Sequence, residues 1–421
     1  MTDIPSGPRA WSALAVAAAL VLAACGGSDG DAGHAAERVD SAGLLALTEA
    51  GKTTVRLLDL DKGAVTHSLA TAAAPSAIVT SPGGRYALAV QRLQDGVQVI
   101  DGGLWQEDHG DHLHDYRAAP KLLAGALTGP RPTHYEVKDG MGALFMDGNA
   151  DAATPAAVQV LTEASLAKGT ADSQFTLPAA VHGTAEPRGA DAMLVSARTA
   201  DAPGTLPNVV DLYQRSASGW KVAQRFEARC PELHGSYSNA THSVFGCADG
   251  VLVIEQKGAQ FSASKIAHPP GMPEKARIGT LSGHAKLAKF IGLASPGHVF
   301  EIDPARAAIT PITWAEGRTR RAHSFDRTGK HFVLLDDTGA THWLEAGANW
   351  RVAKTVPVIA QMPTAAPFPT LVSSRARDAL YVTDVNARQI AVLDSQAPAV
   401  AQRLNLGFAP SAQAWLGIAA P

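Results

Sequence analysis

The 421 residues carry 36 basic against 39 acidic side chains, for a formal net charge of −3. With so even a balance and no basic cluster, the chain is not built to grip nucleic acid. Composition does not shift along its length and no internal linker breaks it, which argues for one domain after the N-terminal segment.

Met1 to Ala10 is short and weakly charged, and Trp11 to Ala24 is an apolar run of signal-peptide length, too short to span a bilayer securely. Leu22-Ala23-Ala24-Cys25 with Gly26 behind it resembles a bacterial lipoprotein signal, in which Cys25 is lipidated and begins the mature chain. Residues 1–24 are therefore expected to be a signal peptide, and residues 25–40, rich in Gly, Asp and Ala, a flexible tether. The expected location is the periplasm, with membrane contact only through the lipid anchor. In that oxidising space the remaining pair, Cys230 and Cys247, is expected to form a disulfide. A pair of thiolate metal ligands is the competing reading, at a spacing that matches no zinc-finger pattern.

Residues 41–421 read as one all-β domain made of repeats. The first copy runs Pro75–Thr80, Tyr86–Val90 and Gly96–Asp101, with turns at Gly, Pro and Asp. The same order returns at Pro132–Tyr135, Gly142–Met146 and Ala157–Leu161. First-strand anchors then fall near Ser76, His134, His182, His234, Thr280, His323, Thr370 and Ser411, at intervals of about 40 to 60 residues, the period of a β-propeller. The copy at Ser411 is incomplete. Strands at Gly43–Leu47, Thr54–Asp59 and Val65–Leu69 supply what it lacks, so the N- and C-terminal strands should pair and close the ring. Eight blades are expected; the weak pattern near Thr280 leaves seven open.

Two histidine groups stand on this frame. Leu104 to Asp115 packs three histidines and four acids into twelve residues, falls between the third and fourth strands of the first copy, and lacks helical or alternating apolar period. It is expected to be a loop, with His109, His112 and His114 beside Asp108 and Asp111 as metal ligands or their supports. The second group is the first-strand set His134, His182, His234 and His323, which the repeat places around the central channel. Either the loop closes over the channel and both groups share one metal, or each holds its own. His268, His284, His298, His331 and His342 lack partners at ligand spacing and read as surface or core residues.

Glu107–His114 after Leu104-Trp105, with Cys230-Pro231-Glu232-Leu233-His234-Gly235 and Phe245–Val253, resembles the periplasmic zinc metallochaperones of the AztD type. The resemblance implies a propeller that binds zinc through histidines and hands it to the solute-binding protein of a zinc ABC importer; the chain is expected to be a monomer. It carries Asp108, His109, Asp111, His112 and His114 as loop residues, His234 as a channel ligand, and the Cys230–Cys247 bridge. His134, His182 and His323 rest on the repeat alone. The alternatives are a metal-dependent hydrolase with its metal at the channel mouth, since an open zinc position activates water, and a pure interaction propeller. Against the first, the chain has no Gly-x-Ser-x-Gly elbow, Cys-x-x-Cys-His or glycine-rich nucleotide loop.

Overall fold

The computed structural model describes residues 38–110, 112–273 and 276–420. The signal peptide, Cys25, nearly all of the tether and Asp111 lie outside them. Among the described residues, no helix is long and apolar enough to cross a membrane.

Eight four-stranded antiparallel sheets follow one another along the chain as the blades of a propeller. Blade one holds Ala77–Thr80, Tyr86–Gln91, Gly96–Asp101 and Lys121–Thr128. The first strands of blades two to seven are Pro132–Lys138, Ala185–Pro187, Ser236–Ser238, Thr280–Ser282, Arg320–Phe325 and Leu371–Ser373. Blade eight joins the two ends of the domain, with Leu44–Thr48 pairing antiparallel to Ala412–Leu416 from Leu44 opposite Leu416 to Thr48 opposite Ala412. This pairing removes the free edges that an open stack of blades would expose.

Burial follows strand order. Second strands such as Tyr86–Gln91, Met141–Met146 and His331–Asp336 are buried throughout, because they are covered on both faces by neighbouring blades. Fourth strands lie at the rim and alternate, as in Gln260–Ala267. The cores sit between blades: Met141, Phe145 and Val158 of blade two pack with Ala185, Met193 and Val195 of blade three. The uncertain repeat near Thr280 is a full blade, with a three-residue first strand and the buried run Phe290–Ala294 as its second.

One expectation is corrected. Leu104–Asp108 and Leu113–Arg117 are not loop but a two-stranded antiparallel hairpin, with Leu104 opposite Arg117 and Asp108 opposite Leu113. Trp105 stacks on Tyr116 with centroids 5.2 Å apart, and the Arg85 guanidinium lies 3.8 Å from the Trp105 ring. The backbone amide of Gly110, at φ +94°, donates to Asp108 Oδ1 in the turn. Pairing and aromatic contacts order a stretch whose polarity hides its alternation.

Candidate metal centre

Three neighbouring blades bring three imidazoles together. His134 lies on the first strand of blade two, His182 just before that of blade three, and His234 just before that of blade four. One ligand nitrogen from each falls within 4.8 Å of the others, and ring centroids are 4.9, 5.4 and 5.7 Å apart. His134 Nε2 and His182 Nε2 are 3.3 Å apart, a gap that requires a proton or a cation between them. Two nitrogens on one tetrahedral zinc, at about 2.0–2.1 Å each, are separated by about 3.3 Å. This pair therefore already stands at the separation a shared zinc demands.

Each orienting contact fixes which nitrogen is free. His182 Nδ1 donates to Asp147 Oδ2 at 2.8 Å, and His234 Nδ1 donates to the Gly279 carbonyl at 2.8 Å. A carboxylate or carbonyl oxygen can only accept here, so both Nε2 atoms carry bare lone pairs turned to the cluster. Asp147 is held in turn by Arg92, whose Nη2 donates to Oδ2 at 2.6 Å while its Nε donates to Thr133 Oγ1 at 3.0 Å. Burial pushes the Asp147 carboxyl up, but the hydrogen bonds from His182, Thr133 and Arg92 outweigh it and leave it below its ordinary range. Burial, with His182 and His234 alongside, lowers His134 to about 4. His234 is lowered by burial too, against the opposing pull of the Gly279 carbonyl. These two imidazoles are thus kept unprotonated, the form that binds metal.

The path of the backbone into His234 is fixed covalently. Cys230 and Cys247 form a disulfide between the segment ahead of blade four and the end of its second strand, and the His234 amide donates to the Gly246 carbonyl at 2.9 Å.

His323 does not join the cluster. It sits in blade six, two blades beyond His234, and its Nδ1 accepts from Arg320 Nη1 at 3.2 Å. Enclosure in the channel and the adjacent guanidinium lower it to about 3. Sharing a repeat position put it on the same ring but not on the same side of the channel. His331 and His342 are core residues paired with Asp326 and Asp336, as expected of residues without ligand partners.

On the hairpin, His109, His112 and His114 gather at the turn. Their centroids are 4.5, 4.7 and 5.8 Å apart, with His112 Nε2 and His114 Nε2 2.6 Å from each other. Tyr116 Oη lies 3.3 Å from His109 Nε2, and Glu107 is 4.0 Å from the same nitrogen. Asp108 Oδ1 accepts the Gly110 amide in the turn. The two groups are on opposite ends of the propeller. In an antiparallel blade, the starts of first strands and the second-to-third turns share one end, whereas first-to-second turns and third-to-fourth connections share the other. The channel cluster lies at the first end, with Arg92 and Asp147; the hairpin is a third-to-fourth connection and lies at the second, beside Gly83 and Glu163. They are two sites.

Asp147, Arg92 and Gly279 escape a reading by first-strand position because they come from turns and from a preceding connection. The only sequence signal is an acid directly after the buried run Met141–Met146.

Fold and site together define an eight-bladed propeller with a trihistidine cluster, a candidate metal site, at one end of its channel and a histidine hairpin at the other. No protein-family model matches the chain. In sequence and architecture it resembles the zinc chaperone AztD of Citrobacter koseri, with 31% identity over 253 residues, or 59% of this chain and 56% of that one. The alignment thus spans little more than half the length of that relative. Two crystal structures of Citrobacter koseri AztD, one of them apo, match with a TM-score of 0.75 over 88% of this chain and 96% of theirs, at 24% and 25% identity. A dihydro-heme d1 dehydrogenase, NirN, shares the fold alone, at a TM-score of 0.55 and 16% identity over 90% of this chain and 76% of its own.

Proposed function

We propose that this protein is a periplasmic zinc carrier, a metallochaperone and not an enzyme, that loads the solute-binding protein of a zinc ABC importer. The observation that carries this reading is the trihistidine cluster, with two Nε2 lone pairs held open by Asp147 and the Gly279 carbonyl. Three imidazoles suit copper and nickel as well as zinc. Zinc is favoured by the similarity to a protein named a zinc chaperone. A carrier must also release its cargo. The exposed hairpin offers a second set of exchangeable imidazoles, through which zinc can pass to a partner. On this reading the chain acts as a monomer, and lipidation at Cys25 would keep it at the membrane near the importer.

The test mixes zinc-loaded protein with the apo solute-binding protein under a chelator that captures free zinc. Loading faster than the protein's own zinc release supports direct handover; loading suppressed to the release rate would sink it.

A further inference from the structure

At the end of the channel that bears the hairpin, the first strands of blades five, six and seven run out around a cavity of about 380 Å3, whose lining includes Ser282, His323, Arg327 and Arg375. Hydrogen bonds between blades fix its walls. His284 Nε2 donates to the Arg327 carbonyl at 3.2 Å, Arg327 Nη2 donates to Asp378 Oδ1 at 2.6 Å, and Arg375 Nη1 donates to the Pro82 carbonyl of blade one at 3.0 Å.

The lining is richer in donors than in acceptors. A guanidinium can only donate, so in the contact of Arg320 Nη1 with His323 Nδ1 at 3.2 Å the ring nitrogen accepts, and the proton of the neutral imidazole sits on Nε2. Asp326 is the one carboxylate among the lining residues, and its own turn occupies it. Its Oδ1 accepts from the amides of Thr328 and Lys330 and from Thr328 Oγ1, and its Oδ2 accepts from the amide and Nδ1 of His331.

Charge points the same way. Asp378 matches Arg327, but among the described residues neither Arg320 nor Arg375 has an ion pair. Arg375 is half-buried, and burial disfavours its charge more than Tyr135 and Glu163 favour it. An enclosed cation without a counter-charge is costly, and a bound anion removes that cost. Guanidinium, imidazole N–H and hydroxyl together match the oxygens of a carboxylate or a phosphate group.

We propose that this cavity binds a small oxyanion, a carboxylate or a phosphate group, held by the Arg375 guanidinium and the His323 Nε2–H with Ser282 and Arg327 alongside. The site goes beyond the zinc-carrier reading and does not depend on it.

Isothermal titration calorimetry of the purified, zinc-free full chain at low ionic strength tests the site, with inorganic phosphate and malonate as separate probes. One saturable site is expected in wild type, and it should persist in His134→Ala/His182→Ala/His234→Ala, which separates it from the trihistidine cluster. Arg375→Gln is expected to weaken binding by about tenfold or more while leaving zinc affinity unchanged, since a charge-assisted hydrogen bond is lost. Whichever probe binds more tightly identifies the source of the oxyanion as a phosphate group or a carboxylate. No saturable binding of either probe by wild type, equal binding by wild type and Arg375→Gln, or loss of binding in the triple variant overturns the proposal. Should Arg375→Gln not fold, His323→Leu, which removes the Nε2–H donor, must show the weakened binding.

Discussion

The two histidine groups use the same side chain and differ in what holds it. In the channel each imidazole belongs to a different blade, and two of the three are pinned by a hydrogen bond to Asp147 or Gly279. On the hairpin all three belong to one ribbon, with His109 and His112 exposed and His114 half-buried, on a ribbon braced by a Trp105–Tyr116 stack. A lone two-stranded ribbon is marginal in water, whereas a closed propeller is not. Pre-positioned ligands bind tightly because little ordering is left to be done on binding; loosely held ones bind and let go. On the proposed function, the difference suits the channel to storage and the hairpin to exchange.

Removing ligands should separate the two groups most sharply. His134→Ala/His182→Ala/His234→Ala should lower zinc affinity by about a thousandfold or more, since nearly the whole ligand set is gone. His109→Ala/His112→Ala/His114→Ala should leave the tightest site within about threefold in a chelator competition, yet slow transfer to the partner by about tenfold. Equal affinity losses in the two triples would erase the distinction between store and delivery arm. Next in size comes the covalent support of the channel. Cys230→Ser/Cys247→Ser opens a link across 17 residues and should cost about 3 kcal/mol in denaturant unfolding. It should also weaken zinc binding through His234, with no effect on hairpin exchange.

Asp147→Ala should reduce zinc affinity by about 10- to 100-fold by freeing the His182 tautomer and leaving Arg92 without its acceptor. An unchanged titration would mean that the carboxylate does not orient its ligand. The smallest effect belongs to His323. Its pKa is lowered in the folded state, so protonation opposes folding, and stability present above the unfolded value near 6.5 is lost as pH falls toward about 3. His323→Leu should therefore flatten the acid side of the stability curve by on the order of 1 kcal/mol at pH 4.5, allowing for water in the channel, and leave zinc binding unchanged. A loss of zinc affinity would return His323 to the metal site.

Much of the architecture can be read from the chain because each blade repeats a local pattern. Buried second strands such as Tyr86–Gln91 and the split blade at Leu44 and Ala412 leave marks in the one-dimensional text. The histidines of blades two to four were legible for the same reason, through their common place at the inner strand. His323 shares that mark but not the outcome, because a repeat reports position within a blade and not which side of the ring the blade occupies. The hairpin reads as a loop in the sequence because Leu113 is the one apolar residue among the polar ones around its turn, too little to show an alternation. Asp147 and Gly279 lie in turns and connections of other blades and reach His182 and His234 only when the blades pack.

The sequence by itself determined the repeat, the closure of the ring and the kinds of ligand present, since hydrophobic alternation and turn residues act over a few neighbours. Only the tertiary structure decided that three of the four inner-strand histidines converge, that an aspartate and a carbonyl choose their free nitrogens, and that the second histidine group stands at the opposite end of the channel. Those outcomes depend on distances between residues some 50 positions apart, which are set by the packing of whole blades and not by any local preference.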